Sequence, residues 1–277
     1  MIKKLKNVVH KLLLFVRYSF IMIPYFGKEA TDMGELIAVL SGKGGTGKTS
    51  LCAGIATALA QEGEDVLCID CDVGLRNLDI ALGMTDSGAL SFADVYRGEY
   101  ALSQASIHRN FPTLRFLTAP VNCQVENVDR EAFSSLLQTA RRSFSYIFLD
   151  APAGIDAGFR LCASFADRVV LVTNSDLASI RDAGRTADLL ETMGKYQTRV
   201  VVNRLNEKLF TATARTVDDL MDEVGLPLLG IVPEDMNIPL AAAFSQPLLR
   251  YSHKGAAAAC VRIAKRLMGY HIPLAIR

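Results

Sequence analysis

The decapeptide Ser41-Gly42-Lys43-Gly44-Gly45-Thr46-Gly47-Lys48-Thr49-Ser50 restricts what this chain can fold into more than any other stretch. Its frame, Gly42-x4-Gly47-Lys48-Thr49, is the P-loop pattern. In that pattern the backbone N–H groups of a glycine-rich turn surround phosphate oxygens, the lysine pairs with the β- and γ-phosphates, and the hydroxyl ligates Mg²⁺. The flanks supply the required context: Leu36-Ile37-Ala38-Val39-Leu40 is an apolar run suited to a buried parallel strand, and Leu51 to Gln61 has a helical pattern. A helix starting behind the loop adds free N–H groups and a positive field at the phosphates. Strand, loop and helix in this order predict ATP or GTP binding, with Gly42 through Ser50 forming the cradle.

The same order implies an α/β fold: a doubly wound, mainly parallel sheet with helices on both faces and the ligand at the C-terminal strand edge. Strands are expected at Leu36, Val66, Leu114, Tyr146, Arg168, Thr198 and Leu228, with helices over Leu177–Met193 and Gly255–Met268. No Pro/Gly/Ser-rich linker or internal repeat divides the 277 residues, so residues 33–277 are expected to form one domain. Residues 1–32 carry six basic side chains against two acidic ones, and the remainder carries 24 against 27. The mildly acidic body gives no global electrostatic reason for DNA binding. The basic extension has two open readings. Its apolar run is cut by Arg17, so it is too short for a membrane span; it is either a membrane-interface helix or the product of a start upstream of Met33.

Six scattered cysteines, Cys52, Cys68, Cys71, Cys123, Cys162 and Cys260, suit packing in a reducing cytosol better than disulfides or zinc. Two further strands end in acids. Asp65 to Ile69 leads into Asp70-Cys71-Asp72, and Tyr146-Ile147-Phe148-Leu149 closes on Asp150. Carboxylates delivered there are placed for Mg²⁺ and water, and an apolar strand closed by Asp150 is the Walker B arrangement. The alternative, turn-forming or capping carboxylates, suits Asp79 well and Asp72 poorly.

The second loop lysine, Lys43, makes the pattern K-G-G-x-G-K-T and gives the chain its resemblance to the deviant Walker A ATPases of the MinD/ParA family. The stretch from Asp70 to Asp79 resembles the first switch of the MinD branch, and Asp150-Ala151-Pro152-Ala153-Gly154-Ile155-Asp156-Ala157-Gly158 resembles its second, with Ala151 and Asp156 as departures. Ser179-Ile180-Arg181-Asp182 is also similar to that branch. The resemblance runs from Met33 to about Met268. It implies an ATP hydrolase using ATP and Mg²⁺, with Lys43 reaching the partner's ATP in an ATP-dependent homodimer. It further implies that Asp72 orients the attacking water, that Asp70 supports the Mg²⁺ held by Thr49 and Asp150, and that Asn77 lies near the dimer interface. Asn203, Pro233 and Asp235 resemble the adenine-binding elements. Lys43, Lys48, Asp72 and Asp150 are then the catalytic set. The implied partners are division-site regulatory proteins and a membrane surface, so the expected location is the cytoplasm or the inner face of the membrane. The short basic amphipathic helix that ends the family's chains is not matched: Pro273 interrupts residues 269–277. Two other classes share the loop. A ParA-type partitioning ATPase requires a basic patch. An iron–sulfur reductase requires bridging cysteines, for which Cys123 and Cys162 fall in suitable regions.

Overall fold

The computed structural model describes residues 33–85, 88–121, 124–206 and 216–274. Residues 1–32 and Cys123, with the readings placed on them, lie outside that set. The described strands are β1 (Glu35–Leu40), β2 (Val66–Asp70), β3 (Ser106–His108), β4 (Phe111–Leu117), β5 (Tyr146–Asp150), β6 (Arg168–Asn174), β7 (Thr198–Leu205) and β8 (Leu228–Pro233). They form one sheet in the order β3-β4-β2-β5-β1-β6-β7-β8, in which β3 alone runs antiparallel, to β4. All seven expected strands are present.

Alternation along each strand feeds two separate cores. Leu36, Ala38 and Leu40 of β1 join one apolar cluster with Ile147 and Leu149 of β5, while Ile37 and Val39 join the other with Tyr146 and Phe148. A parallel strand covered on both faces has no solvent side, which explains its unbroken apolar sequence.

The covering helices are α1 (Lys48–Gln61), α2 (Leu78–Leu82), α3 (Phe92–Tyr96), α4 (Arg130–Arg141), α5 (Ala157–Phe165), α6 (Leu177–Thr192), α7 (Val217–Val224), α8 (Asn237–Ala243), α9 (Leu248–Tyr251) and α10 (Ala256–Leu267). Phe133 of α4, Phe159 of α5 and Ile180 of α6 pack on the first face, and α1 and α10 pack on the second. Where these helices start can be traced to local chemistry: Asp129 accepts from the first turn of α4, Asp176 from Ser179 of α6, and Ser91 and Thr216 form capping boxes.

Two differences from the sequence reading bear on the site. Helix α1 begins at Lys48 rather than Leu51, because the loop's own Lys48-Thr49-Ser50 makes its first turn. The edge strand β3 was not anticipated. No helix of the described residues is long and apolar enough to cross a membrane. The last described residues, 270–274, are not helical, and the Arg266 guanidinium holds the Ile272 and Pro273 carbonyls.

Candidate functional site

The loop between β1 and α1 owes its shape to two left-handed glycines, Gly45 (φ 77°) and Gly47 (φ 85°), a region open to glycine at little cost. Gly47 is the N-cap of α1 and provides no side-chain cap, so the N–H groups of the first turn are left to an outside acceptor. A β-carbon at Gly42 would strike the Thr186 hydroxyl of α6, and one at Gly47 would strike the Asn203 amide. The loop is therefore pinned by α6 on one side and β7 on the other. Ser41 donates to the Lys43 carbonyl at 2.7 Å, closing the turn.

Sheet order brings the acids to this loop. Strand β5 lies between β2 and β1, so Asp70 and Asp150 are register neighbours and Val39, two residues before the loop, stands beside Asp150. Both carboxylates are almost fully buried. Burial, joined by the charge of Asp70, pushes Asp150 up to about 7, against the Thr49 hydroxyl and the Lys48 charge, which pull it down. Asp70 rises to about 6, chiefly through burial, although the N–H groups of Asp72 and Leu78 donate to its two oxygens. Asp70 thus folds the first switch onto the sheet. Asp72 accepts from the N–H groups of Gly74 and Leu75, both at 3.3 Å. The second loop is tied in by Gly154 N–H to the Ser41 carbonyl.

Magnesium and a nucleotide fit this arrangement. Among the buried polar atoms without a hydrogen-bond partner are Asp150 Oδ1 and Thr46 Oγ1, one beside and one within the phosphate cradle. Such atoms normally find partners, and each carries a desolvation cost until it does. Among the described residues, no cluster of three His, Cys, Asp or Glu side chains forms a metal cage. Mg²⁺ usually takes one or two carboxylates and completes its shell with water and substrate phosphates. Lys48 is buried and Lys43 is exposed.

Asn203 is buried at the end of β7. Its amide donates to the Thr46 carbonyl at 2.7 Å, and its Oδ1 has no partner. Asp235 accepts from the Asn237 and Ala256 N–H groups, which joins the starts of α8 and α10 beyond Pro233. Two residues not singled out from sequence also belong here. Arg204, with φ 53°, reaches the Gly45 carbonyl at 3.3 Å, and Arg76, with φ 48°, donates to Thr118. Positive φ in a side-chain-bearing residue costs energy and concentrates at functional loops, but no sequence pattern marks it. Cys52, Cys68, Cys71, Cys162 and Cys260 are buried and free. Cys162 packs inside the first core, away from any surface.

A doubly wound sheet with a glycine loop, two neighbouring strand-end carboxylates and a second loop lysine defines a P-loop nucleotide-binding protein of the deviant Walker A type. The chain belongs to the CobQ/CobB/MinD/ParA nucleotide-binding family, whose model matches residues 37–248. It is 36% identical over 246 residues to the septum site-determining protein MinD of Synechocystis sp., covering 87% of this chain and 92% of that protein. Among solved structures, MinD in the MinC:MinD cell division complex of Aquifex aeolicus superposes with a TM-score of 0.80 at 35% identity, covering 87% of this chain and 98% of that one. The Pyrococcus horikoshii MinD complexed with Mg-ADP superposes at 0.73 with 25% identity, covering 85% and 96%. Fold, P-loop and septum-site family thus agree with the resemblance found in the sequence.

Proposed function

We propose that the chain is an ATP-hydrolysing switch that closes into a homodimer on ATP and Mg²⁺ and opens after hydrolysis, positioning a division site through partners that bind one state only. The observation that carries this reading is the buried Asp70–Asp150 pair beside the loop, with Asp150 Oδ1 lacking a partner. In the proposal Thr49 and Asp150 hold Mg²⁺, which neutralises phosphate charge when bound, and Asp70 fixes the switch that carries Asp72. Lys48 and the α1 N-terminus bind the β/γ-phosphates, and Asp72 orients the water. Asn203, Pro233 and Asp235 flank the adenine. Phosphoryl transfer needs positioning and charge stabilisation rather than a covalent intermediate, and these groups supply both.

The Mg-ADP in the Pyrococcus relative and the MinC partner in the Aquifex relative support the ligand and the kind of partner proposed here. A cytosolic protein that meets the inner face of the membrane completes the reading. The test is phosphate release under ATP and Mg²⁺ with direct nucleotide titration. Lys48→Ala should lose measurable ATP binding, whereas Asp150→Asn should keep micromolar binding and lose at least a hundredfold in turnover. Unchanged turnover in Asp150→Asn would sink the assignment.

A further inference from the structure

A second concave site lies away from the loop, with a cavity of about 640 Å³. Its walls are the turn after α2, the strand β3 with the turn that follows it, and the turn between α8 and α9. We propose that this cleft docks an acidic segment of a protein partner in extended form, with carboxylates on Arg109 and Arg250 and an apolar side chain on Phe244.

Charge gives the first reason. Among the described residues, Arg109 and Arg250 are the charged side chains lining the cleft. Both are exposed, and neither makes an ion pair or side-chain hydrogen bond among the described residues. The body from residue 33 onward carries more acids than bases, so a cationic pair runs against the background and complements carboxylates.

The apolar part comes from α8. Met236, Leu240 and Phe244 recur every four residues, which places them on one helical face, and they remain 71%, 40% and 63% exposed. Phe244 is held in place by stacking on Tyr251, with ring centroids 6.0 Å apart and an interplanar angle of 15°. Across the cleft, Ile107 of β3 is 55% exposed. Exposed apolar groups beside free arginines are the composition of a protein-binding surface.

Backbone geometry favours an extended chain. Strand β3 is the outermost strand of the sheet, so one of its edges is open, and Ser106 and Ile107 of that strand line the cleft. An added strand can use such an edge, and its period of two sends carboxylates to one side and apolar side chains to the other. Asn110 and Gln246 add to the lining side-chain amides, which can both donate and accept hydrogen bonds.

The experiment uses the full chain without nucleotide, so its outcome is independent of the ATPase reading. Fluorescence anisotropy would follow a capped, labelled decapeptide of alternating Glu and Val. Saturable binding that weakens with salt is expected. It should fall at least tenfold in Arg109→Gln/Arg250→Gln and in Phe244→Ser, and Arg109→Glu/Arg250→Glu should prefer the alternating Lys and Val peptide. All three positions are exposed, and melting temperatures within about 3 °C of the parent would separate lost docking from lost fold. The proposal is overturned by absence of binding, by binding unchanged in the variants, or by equal binding of a ten-residue Glu peptide. It is also overturned if phosphatidylglycerol vesicles, and not the peptide, bind in an Arg109- and Arg250-dependent way, since the occupant is then a lipid surface.

Discussion

Gly47 and Asn203 fix the phosphate loop together. The glycine takes φ 85°, its missing β-carbon leaves room for the Asn203 amide, and that amide holds the Thr46 carbonyl. Gly47→Ala brings both a strained backbone and a collision. It should destabilise the protein by about 1–3 kcal/mol and weaken ADP binding at least tenfold, as read by denaturant unfolding and calorimetric titration. Asn203→Ala removes the clash partner but leaves a buried carbonyl without its donor, a loss of about 1–3 kcal/mol. Because Gly47→Ala strikes that same amide, the double variant should lose less than the sum of the two single losses. Additivity in the double variant would mean that the two residues act separately.

At the level of elements, the ends of β2 and β5 hold two carboxylates that the fold pushes up to about 6 and about 7. Above about pH 4 the unfolded chain has released these protons, while the folded chain keeps that of Asp70 to about pH 6 and that of Asp150 to about pH 7. Their contribution to stability is therefore complete at low pH and is lost as pH rises through the folded values. In EDTA, without nucleotide, Asp150→Asn should come closest to the parent below about pH 4, gain on it as pH rises, and melt several degrees higher at pH 8. A scanning calorimetry series would reveal the opposite ordering if the pair were instead stabilised as anions. Mg²⁺ with nucleotide should raise the parent's melting temperature more at pH 8 than at pH 6, since ligation needs the ionised acid.

That each acid ends a strand was legible, because an apolar run closed by aspartate is a local pattern. Their adjacency was not, since it depends on β5 inserting between β2 and β1, a long-range pairing. For the same reason Arg204, which acts through a contact distant in sequence, left no signal, and the partner of Arg76, Thr118, was not legible although the arginine itself lies in the switch pattern. The three residues of β3 were too few to show a period. Lys48-Thr49-Ser50 hid the true start of α1 because its first turn faces the ligand side and needs no apolar residue.

On the scale of the whole molecule, one edge exposes apolar side chains. Leu75, Ile155 and Leu177 follow the C-terminal ends of β2, β5 and β6, close to the candidate nucleotide loops, and all three are exposed. Lys43 stands at the same edge, exposed, with the charge of Asp176 within its reach. Its own loop already has Lys48 for the phosphates, so in the proposed dimer Lys43 is the charge left to meet a negative group closing over this edge. A second copy with bound ATP brings that charge and covers the three apolar side chains at once. Lys43→Ala should then keep ATP affinity within about threefold, because the cradle and Lys48 are intact. It should also fail to shift from the 30.1 kDa monomer to a dimer in sedimentation velocity with ATP, and lose at least tenfold in hydrolysis. Leu177→Asp should block the same shift through repulsion and a buried charge, with nucleotide binding unchanged. If Lys43→Ala dimerises normally yet does not hydrolyse, the lysine acts within its own subunit. If both variants dimerise like the parent, this edge is not the interface.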